Sequence, residues 1–160
     1  ALLESIGLLD GLDEAGASAA LAAVELPGRF QVIDERYILD VAHNPAAASV
    51  LAAELSALRI PGKLTGIIGM LADKDVDGYI DALASVVDDW IAVDVDGTRA
   101  QPADRIASPI ANRTGRPCLI GEPVAEAIQF ASGRADAGDY ILVTGSFFVV
   151  GPALDWLADN

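Results

Sequence analysis

A doubly wound α/β sheet, mostly parallel and covered by helices on both faces, is the fold class this sequence predicts, and three observations predict it. The runs Leu64 to Gly69, Thr65 apart, and Tyr140 to Val143 are continuously apolar, as strands buried on both faces are. Longer segments with helical spacing separate such runs. Polar residues and glycines gather just after the strands, where open α/β sheets keep their ligand crevice.

Each element follows in order. Leu2 to Leu9 and Ser18 to Val24 are Ala/Leu-rich and predict two helices, with Gly11 and Gly16 punctuating the link. Leu26-Pro27-Gly28 breaks that pattern, so residues 1–26 are expected to be the helical tail of a preceding domain and residues 27–160 the domain itself. Phe30 to Ile33 and Tyr37 to Val41 predict two short strands joined by the charged turn Asp34-Glu35-Arg36. Ala46 to Leu58 is a helix without a breaker, started by Asn44-Pro45, because Asn satisfies free N–H groups of a first turn and Pro fits where no N–H is needed.

The alternation then continues as strand Leu64 to Gly69, helix Val76 to Val87, strand Trp90 to Val95 and helix Ala103 to Arg113. Strand Cys118 to Ile120, helix Val124 to Arg134, strand Tyr140 to Val143 and an apolar C-terminal segment complete it. Right-handed crossovers carry the loops after parallel strands to one edge. Asp40 to Asn44, Gly69 to Asp75, Asp94 to Arg99 and Thr144 to Ser146 are therefore expected to share that edge.

Composition sets the remaining bounds. With 160 residues, 52% of them hydrophobic, the chain is long enough for one well-cored domain. No apolar run reaches the ~18 residues of a membrane span, and no basic start precedes an apolar core, so the expected setting is the cytoplasm, with no membrane partner. A formal charge of −14, uninterrupted by any Lys/Arg cluster, excludes nucleic-acid binding. An anionic ligand would depend on a few cations and on helix N-termini, which singles out Arg29, Lys74 and Arg99. Cys118 is the one cysteine, without an internal disulfide partner, and beside Leu119 and Ile120 it is expected to be a buried thiol. A chain that starts at Ala1 and has its one methionine at Met70 is expected to be processed or excised from a longer one.

Several motifs fail. Gly62-Lys63 lacks the rest of a phosphate-binding loop, since Ala57 stands where the first glycine belongs and Leu64 where a hydroxyl residue would hold magnesium. No G-x-G-x-x-G follows a strand, and one histidine with one cysteine does not make a zinc site. Asp40, His43 and Ser146 do not read as a hydrolytic triad, because Gly145-Ser146-Phe147 is no nucleophile elbow and Asp40 and His43 are too close in sequence.

The informative stretch is Asp40-Val-Ala-His-Asn-Pro45, which places a carboxylate, the only histidine and a helix start where an apolar strand stops. Together with Leu26-Pro-Gly-Arg-Phe30, Ile68-Gly-Met-Leu-Ala-Asp-Lys-Asp75 and Gly145-Ser-Phe147, in this order and spacing, it resembles the folylpolyglutamate synthase family. The resemblance is closest to the bacterial bifunctional dihydrofolate synthases/folylpolyglutamate synthases of the Mur ligase superfamily. It runs from about Leu26 to the C-terminus and implies that family's Rossmann-like C-terminal domain, with the preceding helices as the end of an ATPase domain.

The resemblance implies an ATP-dependent ligase. In that family ATP phosphorylates the terminal carboxylate of dihydropteroate or a folate, and the amino group of L-glutamate attacks the acyl phosphate, giving an amide, ADP and phosphate. Magnesium and the phosphate-cradling loop would belong to the preceding domain, so this domain would be a lid, inactive alone and monomeric, and would itself hold no metal. Arg29 would contact ATP, where a guanidinium suits an anion. Asp40 would accept hydrogen bonds from the nucleotide ribose; a strand-end turn cap is its other reading. His43 would meet the incoming glutamate and, with Asp40, serve the catalytic step, or else be structural. Ser146 would bind the glutamate α-carboxylate, and Lys74 would attract glutamate or phosphate unless it is a solvated cap between Asp73 and Asp75. Asn44 reads as a helix cap that aims His43. Two other readings stay open: a stand-alone acidic module that binds a nucleotide or amino acid without catalysis, and a sister Mur ligase using another amino acid.

Overall fold

The computed structural model describes residues 16, 26–121 and 123–160. The helices expected at Leu2 to Leu9 and Ser18 to Val24, and the tail they would form, lie outside the described residues. Strands β1 (Gln31–Ile33) and β2 (Tyr37–Asp40) make an antiparallel hairpin with Ile33 opposite Tyr37. Its turn places Asp34 and Glu35 both at φ 52°, the left-handed pair whose twist suits a tight hairpin. Helix α1 (Pro45–Leu58) leads to β3 (Leu64–Ile68), α2 (Val76–Leu83) to β4 (Asp89–Val93), and α3 (Ala103–Thr114) to β5 (Cys118–Gly121). Helix α4 (Val124–Ser132) returns the chain to β6 (Tyr140–Thr144), and α5 (Phe147–Asp159) ends it.

These strands form one sheet in the order β1-β2-β6-β3-β4-β5, and every pairing except β1 with β2 is parallel. The predicted class, a mostly parallel α/β sheet clad on both faces, is the observed one. Successive strand residues alternate between the faces, as a pleated strand requires. Ile38, Ile68 and Leu142 face α1, α2 and α3, whereas Leu39, Ile67, Ile141 and Val143 face α4 and α5. Because β6 inserts between β2 and β3, the direction of winding reverses there, and a crevice opens at such a reversal.

The differences from expectation lie at element ends. Phe30 falls outside β1 because its φ of 42° cannot continue an extended strand. Helix α2 stops at Leu83 rather than Val87, where Val86 and Val87 both donate to the Leu83 carbonyl and the chain turns toward β4. The apolar C-terminal segment is the helix α5. Cys118 is half-buried, not buried, and its neighbours Leu119 and Ile120 are 51% and 56% exposed. An apolar run reads as interior, but β5 is an edge strand with one neighbour and lacks that cover. Desolvation still pushes the Cys118 thiol up to about 11. Among the described residues no helix is long and apolar enough to cross a membrane.

Candidate functional site

The carboxyl ends of β2, β6 and β3 lie side by side, with Asp40 paired to Thr144 and Thr144 to Ile68. The loops beyond them converge as the alternation required. Ala72 donates to the Arg99 carbonyl at 2.9 Å and Gln101 to the Met70 carbonyl at 2.9 Å, tying the loop after β3 to the loop after β4.

Asp40 is 8% exposed, and both its oxygens are engaged by backbone. Oδ1 accepts from Ala42 N–H at 2.7 Å and Oδ2 from Phe30 N–H at 2.9 Å. The strand-end cap reading thus describes its contacts, although each carboxylate oxygen keeps a lone pair for a further donor. One side chain thereby joins the Arg29–Phe30 corner to the residue before His43. Phe30, read from the sequence as a strand start, holds its left-handed φ there, a conformation that costs an aromatic residue on the order of 1–3 kcal/mol. Arg29 is exposed and forms no ion pair among the described residues. With Phe30, Asp40, Leu51 and Glu54 it lines a cleft of about 320 Å³.

A second, smaller cavity of about 180 Å³ brings together His43, Lys74, Gly145 and Ser146, bordered by Leu71, Phe147 and Phe148. The His43 Nδ1 lies 3.0 Å from the Val41 carbonyl. A carbonyl can only accept, so Nδ1 carries the proton, which in the neutral form of the ring leaves Nε2 as the acceptor. Asn44 caps α1 by accepting from Ala47 N–H at 2.9 Å, which fixes the turn that carries His43. Lys74 is paired with Asp73 at 2.9 Å, and that contact holds the exposed Asp73 carboxyl below its ordinary range. Asp75 caps α2 through Gly78 N–H.

Ser146 is the N-cap of α5 and is 5% exposed, yet its hydroxyl has no hydrogen-bond partner among the described residues. Its carbonyl accepts from Val149 and Val150, so the backbone closes the helix while the side chain stays unspent. A buried hydroxyl left alone costs roughly 1–3 kcal/mol, and the first N–H groups of a helix also lack intrahelical partners. This corner can therefore receive an anion or an acceptor group. Gly145 makes it possible: φ is +104°, and a Cβ there would stand 2.6 Å from the Gly69 carbonyl oxygen.

The sequence-selected residues thus fall into two groups, Arg29 with Asp40 and His43 with Lys74 and Ser146, joined by the segment from Asp40 to Asn44. Sequence reasoning gave no role to Tyr79 or to Thr144, both wholly buried, whose hydroxyls meet at 2.7 Å, Thr144 directly preceding Gly145 of the second cavity. The signal for Thr144 was the one that marked Asp40, a polar residue closing an apolar strand. Tyr79 gave none, since its position suits any large apolar side chain. A cavity of about 290 Å³ lined by Lys63, Asp89 and Arg134 opens at the amino ends of the strands, away from these loops.

Comparison with known proteins places this geometry among relatives. The family model for the Mur ligase, glutamate ligase domain, matches residues 28–147. Dihydrofolate synthase/folylpolyglutamate synthase of Escherichia coli (strain K12) is 39% identical over 137 residues, covering 84% of this chain and 31% of that protein. The structure of E. coli FolC in complex with DHPP and ADP superposes with a TM-score of 0.83 at 36% identity, covering 93% of this chain and 36% of that one. A bifunctional folylpolyglutamate synthase/dihydrofolate synthase with Mn, AMPPNP and L-glutamate bound gives a TM-score of 0.82 at 36% identity, over 92% of this chain and 35% of that one. The chain spans about a third of the length of these proteins.

Proposed function

The chain belongs to the Mur ligase glutamate ligase domain family, in the branch of the dihydrofolate synthases/folylpolyglutamate synthases, and on that premise we propose that it is the C-terminal lid of an ATP-dependent ligase. The full enzyme adds L-glutamate to dihydropteroate or a folate, with ADP and phosphate as the other products. In this reading residues 27–160 are the lid and residues 1–26 end the ATPase domain. The other two-thirds of the relatives' length supports a second half to the site.

The phosphate-binding loop and the magnesium ligands belong to that other half. Among the described residues there is no group of three or more His, Cys, Asp or Glu that could hold a metal ion. Without that half the domain is inactive. The enzyme works in the cytoplasm as a monomer.

The observation that carries the reading is the buried, unpartnered Ser146 hydroxyl at the start of α5, in one cavity with His43 and Lys74. In this assignment the glutamate α-carboxylate takes the Ser146 hydroxyl and the free N–H groups of α5, and Lys74 adds attraction despite its Asp73 partner. The Nε2 acceptor of His43 orients the attacking amine and receives a proton from it as the new C–N bond forms and phosphate leaves with the C–O electrons. Arg29 holds ATP phosphate oxygens, and the spare lone pairs of Asp40 accept from the ribose. ATP supplies the phosphoryl group that makes the carboxylate reactive; the lid contributes orientation and fixed charge.

Steady-state kinetics of the full-length ligase test the division of labour. Arg29→Ala is expected to raise the KM for ATP by about tenfold or more while leaving the KM for glutamate nearly unchanged. Ser146→Ala is expected to do the converse. Unaltered ATP dependence in the first variant, or unaltered glutamate dependence in the second, removes that residue from its assigned half.

A further inference from the structure

We infer that Tyr79 is a positioning residue for the glutamate end of the site, acting through its buried hydrogen bond to Thr144. The inference rests on the glutamate assignment made above and adds two residues that touch neither cavity. Tyr79 OH and Thr144 Oγ1 are 2.7 Å apart in the one wholly buried side chain–side chain hydrogen bond found among the described residues. Both residues are 0% exposed. Packing alone does not call for this arrangement. A phenylalanine would fill the space between α2 and the sheet without a hydroxyl to desolvate.

The bond's two ends lead along the chain to two residues that line the same cavity. Thr144 is the last residue of β6, and two peptide bonds later comes Ser146, past a Gly145 backbone crowded against Gly69. Tyr79 sits in the first turn and a half of α2, which Asp75 caps immediately after Lys74. A contact between the helix start and the strand end therefore fixes the gap between Lys74 and Ser146, both of which line the cavity. Burial, together with the nearby Asp40 charge, drives the phenol well above its ordinary range. Tyr79 remains a neutral hydroxyl throughout the working pH range.

Thr144 is the register partner of Asp40 across β2 and β6, but the side-chain hydrogen bonds of the two are distinct. Asp40 is held by Phe30 N–H and Ala42 N–H, not by Tyr79, so loss of the phenolic hydroxyl leaves that clamp intact. Loosening the Tyr79–Thr144 bond should thus act chiefly on glutamate.

The test uses full-length ligase carrying Tyr79→Phe, Thr144→Val, both together, or Thr144→Ser. Tyr79→Phe and Thr144→Val are each expected to raise the KM for L-glutamate roughly three- to tenfold with the KM for ATP unchanged, the yield of one lost buried hydrogen bond. The double variant should be no worse than the poorer single one, because a single bond is lost once, and Thr144→Ser should restore glutamate affinity by keeping the hydroxyl. A change below about twofold in glutamate KM in both single variants overturns the inference even if the melting temperature falls, and so does an ATP KM that rises in step. Ser146→Ala run alongside separates the two levels of argument. If it leaves glutamate KM unmoved, the glutamate assignment itself has failed; if it raises glutamate KM while Tyr79→Phe does not, only the positioning role has.

Discussion

Asp40 and Ser146 both stand at the carboxyl edge of the sheet and both are more than nine-tenths buried, but the chain treats them in opposite ways. Asp40 closes a strand and spends its oxygens on two backbone N–H groups, which locks the Arg29–Phe30 corner to the start of the His43 turn. Ser146 opens a helix with its hydroxyl unanswered by any group among the described residues. A polar group satisfied internally is a frame; one left open at a helix N-terminus is a receptor, because burial without a partner is sustained only where another gain offsets it. In the proposed reading the nucleotide corner is therefore shaped before any ligand arrives, and the glutamate corner is completed by one.

The heaviest blow to this contrast is expected from Gly145→Ala. A methyl group facing the Gly69 carbonyl, on a residue at φ +104°, should destabilise the domain by about 2–5 kcal/mol and displace Ser146. Denaturant titration of the purified domain measures it, and an unchanged midpoint would mean the loop after β6 relaxes freely. Asp40→Asn comes next. An amide offers one acceptor oxygen where two N–H donors converge, so one of Phe30 or Ala42 loses its partner and stability falls by about 1–3 kcal/mol. If that variant binds ATP poorly at full stability, the carboxylate is a ligand contact and not a frame. The smallest effect, about 1 kcal/mol, is expected of Asn44→Ala, which removes the cap of α1 at the junction of the two corners. A fall in turnover larger than the stability loss explains would place the aim of His43 under control of that cap.

The fold was legible because its signals are local. Continuous apolar strands and helices such as that starting at Asn44-Pro45 announce themselves over a few residues, and element order then limits the topology. Errors followed where local pattern and tertiary setting part. Leu119 and Ile120 look interior but lie on an edge strand, and Phe30 looks extended but is turned left-handed by the Asp40 carboxylate. The site was legible in part for the same reason. Asp40, His43 and Ser146 stand out as polar groups at apolar strand ends, whereas Tyr79 hides in an amphipathic helix because its hydroxyl meets a partner 65 residues away.

By itself, then, the sequence determined the class of fold, the edge at which polar chemistry collects and the family that the four motifs resemble, since each is encoded in contiguous residues. Only the tertiary structure decided which of those polar groups are spent and which are available. Asp40 is committed to two N–H groups ten residues back and two residues on, Lys74 is shared with Asp73, and Ser146 is left over. Whether a donor or acceptor is satisfied depends on what distant strands bring to within about 3 Å of it, and no reading of neighbouring letters contains that distance.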